Sequence, residues 1–130
     1  ARLITFTYIC LIKMYFKKAI YFTKIIFEVK KMLEIYLIRH GQTKWNLENK
    51  MQGSLNSDLT VEGVKQAVSL GKELNKHYFD HIYSSTSPRA LETSRLIFGD
   101  EKKTSSDLLG EIAMGAWEGK LIKKLKNSPL

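Results

Sequence analysis

The chain has 130 residues, 44% of them hydrophobic and 26% charged, with a formal net charge of +8. That length holds one domain with a real core, and not two. The charge sits at the ends: residues 1–31 carry +6 and residues 120–130 carry +4, leaving −2 on residues 32–119, which excludes a general nucleic-acid-binding surface there.

Ile, Phe, Tyr and Lys make up 19 of the first 31 residues, which contain no Gly, Pro, Asp, Asn or Gln. The longest apolar stretch, Leu3 to Ile12, is too short to span a bilayer and is followed by Lys13, Lys17, Lys18 and Lys24. Only Ala19 offers a small residue of the kind that a secretory cleavage site needs. A basic amphipathic arm touching a membrane is one reading of this segment. The reading preferred here is translated upstream sequence, with Met32 the natural start. Cys10 is the only cysteine, so no disulfide framework or Cys-based metal site is encoded, which fits a reducing, cytoplasmic compartment.

From residue 35 the pattern changes. Ile35-Tyr36-Leu37-Ile38 reads as a strand, and an unbroken apolar run of that length suits burial on both faces. It ends in Arg39-His40-Gly41, where an open α/β sheet places its ligands. Arg39 offers a planar fork of donors to an oxyanion, and His40 is the side chain best suited to act as nucleophile or proton carrier near neutral pH. Trp45 to Asn56 is polar and reads as a loop over the strand end. Thr60 then N-caps a helix whose stripe is Val64, Ala67, Val68, Gly71, Leu74 and Tyr78. His77 and His81 read as surface residues.

A short strand from Asp80 to Tyr83 precedes Ser87-Pro88, a helix start that puts Arg89 in the first turn, where amide groups already favour an anion. Ala90, Leu91, Ser94, Ile97 and Phe98 are expected to face inward, and Gly99 to end the helix. Strand, helix, strand, helix with short connections implies parallel strands and right-handed crossovers, so Arg39, His40 and Arg89 converge at one sheet edge. Asp100 to Ser106 reads as a polar loop and Leu108 to Ile112 as a short extended segment. Gly115-Ala116-Trp117-Glu118-Gly119 reads as a turn. Beside a phosphate site, a carboxyl of raised pKa here would serve as general acid or base.

With these residues in place, the chain resembles the histidine phosphatase superfamily, the phosphoglycerate mutase-like family. The likeness runs through Leu37-Ile38-Arg39-His40-Gly41-Gln42-Thr43, Trp45-Asn46, Gln52-Gly53, Leu59-Thr60, Gly63, Gln66-Ala67, Ile82-Tyr83-Ser84-Ser85, Arg89-Ala90, Thr93, Glu111-Ile112, Gly115 and Trp117-Glu118-Gly119. The resemblance implies an α/β fold: three α/β/α layers around a mostly parallel sheet, here incomplete. Residues 32–130 would form a partial domain, with residues 1–31 a basic, apolar extension outside it.

The resemblance also implies roles. His40 would attack phosphorus and carry a phosphohistidine, Arg39 and Arg89 would grip the phosphoryl oxygens, and Glu111 would protonate the leaving oxygen. Asn46 would belong to the phosphate pocket, with Gln52 and Gly53 at the substrate mouth. No metal and no cofactor is implied, because arginines supply the charge that phosphoryl transfer requires. The expected partner is a small phosphorylated substrate.

Family members carry a second histidine in a later His-Gly motif, and none of His40, His77 and His81 corresponds to it. The chain therefore reads as a truncated or frame-shifted copy with low turnover, marginal stability and an exposed sheet edge. Met51-Gln52-Gly53 followed by Ser57-Asp58-Leu59-Thr60 looks more like the phosphatase branch of the family, and the resemblance then implies a phosphatase of small phosphomonoesters. A phosphoglycerate mutase, or a non-catalytic phosphate-binding or membrane-associated module, are the alternatives.

Overall fold

The computed structural model describes residues 8–15, 32–99 and 103–125; the expectations on Ala19, on the rest of 16–31, on Asp100 and on the last five residues of the tail fall outside them. Four strands form one sheet: β1 (Tyr8–Tyr15), β2 (Met32–Arg39), β3 (His81–Ser85) and β4 (Thr104–Ser106), in the order β2-β1-β3-β4. β1 is antiparallel to both neighbours, with Tyr8 opposite Arg39 and Ile9 opposite both Ile38 and Ser84. β2 and β3 therefore run in the same direction, and β4 pairs parallel with β3. Three of the four strands point one way, and the ends of β2 and β3 that bear the site emerge at a common edge. β1 comes from the segment read above as an extension. It lies between the two site-bearing strands, where its amides and carbonyls meet partners on both sides.

Among the described residues four helices accompany the sheet: α1 (Lys44–Leu47), α2 (Val61–Leu74), α3 (Pro88–Phe98) and α4 (Ile122–Leu125). Thr60 caps α2 by accepting the Gly63 amide at 3.0 Å, as its sequence position predicts. Pro88 opens α3 and Gly99, at φ +62°, closes it. α2 and α3 pack together over one face of the sheet, and the core is Ile38, Ala67, Leu74, Ile82, Ile97 and Phe98, flanked by Tyr36, Leu70, Phe79 and Leu96. None of the described helices is long and apolar enough to cross a membrane.

Several expectations are corrected. β2 is not buried on both faces: Ile38 is 8% exposed, but Ile35 and Leu37 on the opposite face are 52% and 64% exposed. An apolar run shows that a strand can be buried, not what covers it. Val68 and Leu91 are exposed as well, since a helix packed on one side buries a narrower stripe than its full apolar set, and Tyr78 is exposed because α2 ends at Leu74, before the stripe expected from sequence reaches it. The loop after the first strand begins with α1, and the polar stretch before Asp107 ends in β4. Where an extended segment was expected from Leu108, the chain instead makes a 3-10 turn over Asp107–Leu109.

Candidate active site

The turn after β2 is built by close backbone packing. A Cβ on Gly41 would lie 2.5 Å from the Gly63 carbonyl oxygen, and one on Gly63 would lie 2.1 Å from that of Gln42. Only glycines let the first turn of α2 come so near. Thr60 locks the approach, its amide donating to the Gln42 carbonyl at 2.9 Å and its hydroxyl to Gln42 Oε1 at 2.8 Å. Thr93 of α3 does the same from the other side. Its Oγ1 accepts the Gly41 amide at 3.1 Å and donates to the Arg89 carbonyl at 2.7 Å. One buried hydroxyl therefore ties the His40 turn to the helix turn that carries Arg89.

His40 is buried, with Nδ1 2.7 Å from the Gly41 carbonyl oxygen. A carbonyl can only accept, so Nδ1 carries the proton and Nε2 keeps its lone pair. Burial is the main reason that the His40 pKa falls from 6.5 to about 4; the Gly41 hydrogen bond opposes the fall, and the charges of Arg89 and Arg39 add to it. Near neutral pH the ring is uncharged and presents a nucleophilic nitrogen.

Arg89 is 1% exposed. Its Nη1 donates to the Leu55 carbonyl and its Nη2 to the Gly53 carbonyl, each at 2.8 Å, and Glu111 Oε2 lies 3.8 Å from Nη2. Burial lowers the Arg89 pKa and Glu111 works against that shift, while the charge of Arg39 adds to it. Arg39 itself is exposed at the end of β2. Arg39, His40, Arg89 and Glu111, each singled out from sequence, thus form one electrostatic cluster.

Gln52, Asn46 and Thr43 form a second group. Thr43 and Asn46 make a reciprocal capping box at the start of α1, with the Thr43 amide donating to Asn46 Oδ1 at 3.1 Å. Gln52 Oε1 accepts from Thr43 Oγ1 at 3.1 Å and from Asn46 Nδ2 at 3.4 Å. Among the described residues the buried Gln52 Nε2 has no hydrogen-bond partner. Gly53 follows at φ +56°, and its carbonyl is one of the two that hold Arg89.

His77 and His81 are exposed; His77 lies against Tyr36 and Phe79, and His81 against Tyr83. Among the described residues no group of three His, Cys, Asp or Glu is placed to hold a metal ion. Thr93 and Glu118 have roles at the site that motif reading alone did not assign. Both stand among the motif residues named from the sequence, but the bonds that join Thr93 to Gly41 and Glu118 to Ser54 span 52 and 64 positions, and no local pattern encodes such pairs.

Comparison with known proteins gives a consistent picture. The model of the histidine phosphatase superfamily (branch 1) matches residues 35–129. A Salmonella choleraesuis protein named as a probable phosphoglycerate mutase, GpmB, is 41% identical over 66 residues, 51% of this chain and 31% of the relative. Among solved structures, Bacillus stearothermophilus YhfR is 42% identical with a TM-score of 0.64, over 69% of this chain and 46% of its own. Phosphoserine phosphatase from Entamoeba histolytica, in complex with 3-phosphoglyceric acid, is 38% identical with a TM-score of 0.61, over 66% and 43%. The chain thus spans less than half the length of these relatives, and β1 lies outside the matched segment.

Proposed function

Because this chain belongs to the histidine phosphatase superfamily, we propose that its site hydrolyses small phosphomonoesters through a phosphohistidine at His40. The observation that carries the proposal is the buried, neutral His40, held through Nδ1 with Nε2 bearing the lone pair, under the charge of two arginines. Nε2 attacks phosphorus in line, the N–P bond forms, and the bond to the leaving oxygen breaks. Glu111 gives that oxygen its proton. Arg39 and Arg89 stabilise the charge on the equatorial oxygens, joined by the amide donors of Gln52 and Asn46, while Gly53 sits at the mouth. Water then attacks phosphorus, its proton passes to Glu111, and His40 is released with inorganic phosphate.

In this reading the catalytic part begins near Met32, and the chain acts without metal or cofactor. His77 and His81 are exposed and lie against Tyr36, Phe79 and Tyr83, so among the histidines of this segment His40 alone serves the site, with the guanidiniums carrying the transition-state charge. The test is release of phosphate from phosphoserine and from an aryl phosphate by the purified chain. The expected result is slow hydrolysis with an acid-labile phosphoryl label on the protein, both reduced on the order of a thousandfold or more in His40→Ala. Equal hydrolysis by the variant would refute the reading. A second reading, phosphoglycerate mutase, draws on the Salmonella relative. It predicts that the phosphoryl group returns to the phosphoglycerate instead of appearing as free phosphate.

A further inference from the structure

We infer that Glu118 is a positioning residue for Arg89, acting by fixing the Gly53–Leu55 loop whose carbonyls hold the guanidinium. The inference rests on the reading of Arg89 as a phosphoryl-gripping residue. Glu118 follows the 3-10 turn Gly115–Trp117 and is only partly exposed. Its Oε1 accepts from the Ser54 amide at 2.6 Å, the Ser54 hydroxyl at 2.9 Å and the Met114 amide at 2.9 Å. A solvated surface carboxylate has no need of three such donors. Partial burial disfavours its charged form, yet hydrogen bonds from Met114, Ser54 and Leu55 outweigh that and hold the Glu118 carboxyl below its usual pKa, which corrects the expectation of a raised pKa for a carboxyl in this turn.

Ser54 is the decisive residue, because it stands between the two carbonyls that grip Arg89. With its amide and hydroxyl both fixed on Glu118, the Gly53 and Leu55 carbonyls on either side have little room to rotate. The space between loop and carboxylate is tight: a Cβ on Gly53 would lie 2.2 Å from Glu118 Oε1. Flanking bonds hold the same two stretches together, from the Gly119 amide to the Met51 carbonyl at 2.8 Å and from the Met51 amide to the Lys120 carbonyl at 2.9 Å. These survive loss of the Glu118 side chain, so the variant is expected to keep its fold while the loop tip loosens. Glu118 also acts on Arg89 directly through its charge.

The test compares Glu118→Ala and Glu118→Gln in the full chain by two readouts. The first is the side-chain nitrogen NMR signal of the Arg89 guanidinium, which a residue that merely supports the fold would leave in place. The second is affinity for inorganic phosphate. Glu118→Ala is expected to broaden or average the Arg89 signal with the backbone spectrum of the two long helices unchanged, and to weaken phosphate binding about tenfold, the worth of one lost hydrogen bond to a charged group. Glu118→Gln, which keeps the accepting oxygen, should restore both to within about threefold. An unchanged Arg89 signal in Glu118→Ala, or a Gln variant as impaired as the Ala variant, would overturn the inference. Should the wild-type chain bind no phosphate, the phosphatase reading fails, and the NMR comparison still decides whether Glu118 sets Arg89.

Discussion

The two faces of β2 are surrounded differently. Tyr36 and Ile38 point toward α2 and α3 and take part in the core, whereas Ile35 and Leu37, one residue away along the same strand, are more than half exposed. The uncovered Ile35 and Leu37 are no less apolar than Tyr36 and Ile38, so composition does not explain the contrast. What differs is the cover. The site lies with the covered face: Gly41 packs on the start of α2, Thr93 reaches it from α3, and the loop at Gly53 to Leu55 encloses Arg89. Among the described residues the constellation around His40 is thus assembled from the helical layer of α2 and α3 and the turns beside it, while Leu37 on the other face stays largely exposed.

The contrast can be broken most sharply at Ile38. Replacement by Ala removes three buried carbons from the core beneath the His40 turn, and such truncations cost about 3 kcal/mol. Urea unfolding followed by circular dichroism measures it. A loss under about 1 kcal/mol would mean that the helical layer packs too loosely to position the turn.

A smaller effect sharpens the comparison from the site itself. The folded state holds His40 neutral down to about pH 4, while in the unfolded chain the ring takes up a proton near pH 6.5. Between those values the unfolded state binds more protons, so stability falls as the pH is lowered through that window and is regained as it rises. At pH 5 the loss from this one group is about 2 kcal/mol relative to pH 7. His40→Gln cannot titrate, so its stability should decline less over the same interval by about that amount. Parallel declines in the two proteins, measured by denaturant titration at both pH values, would show that the imidazole is not sealed beneath the covered face.

How far the sequence reveals this follows from the range of each signal. The start of α2 at Thr60 and the span of α3 between Pro88 and Gly99 were legible because caps and helical periodicity are local, whereas the end of α2 at Leu74, short of Tyr78, was not. So was the meeting of Arg39, His40 and Arg89, which needs only parallel strands and short connections. Leu91 and Val68 were misjudged because helical spacing places residues on a side without saying how wide the packed strip is. α1 is too short for periodicity, although Thr43 and Asn46 carried its capping box in plain view. The grip of the Gly53 and Leu55 carbonyls on Arg89, and of Ser54 on Glu118, joins residues 34 to 64 positions apart, and no local pattern encodes such pairs.

The smallest effect is expected at Leu37, and it bears most directly on the open face. Leu37→Thr keeps a side chain suited to a strand and removes only apolar surface that is already 64% exposed. At such a position the change in unfolding free energy should stay within about 0.5 kcal/mol. Among the described strands β2 is also at the end of the sheet, so its edge and apolar face together invite association between chains. The same substitution should therefore lower concentration-dependent self-association in sedimentation velocity while leaving the monomer as stable as before. A loss well above 1 kcal/mol that grows with protein concentration would instead show that another molecule covers this face and contributes to stability, since the bound form is then the one being unfolded.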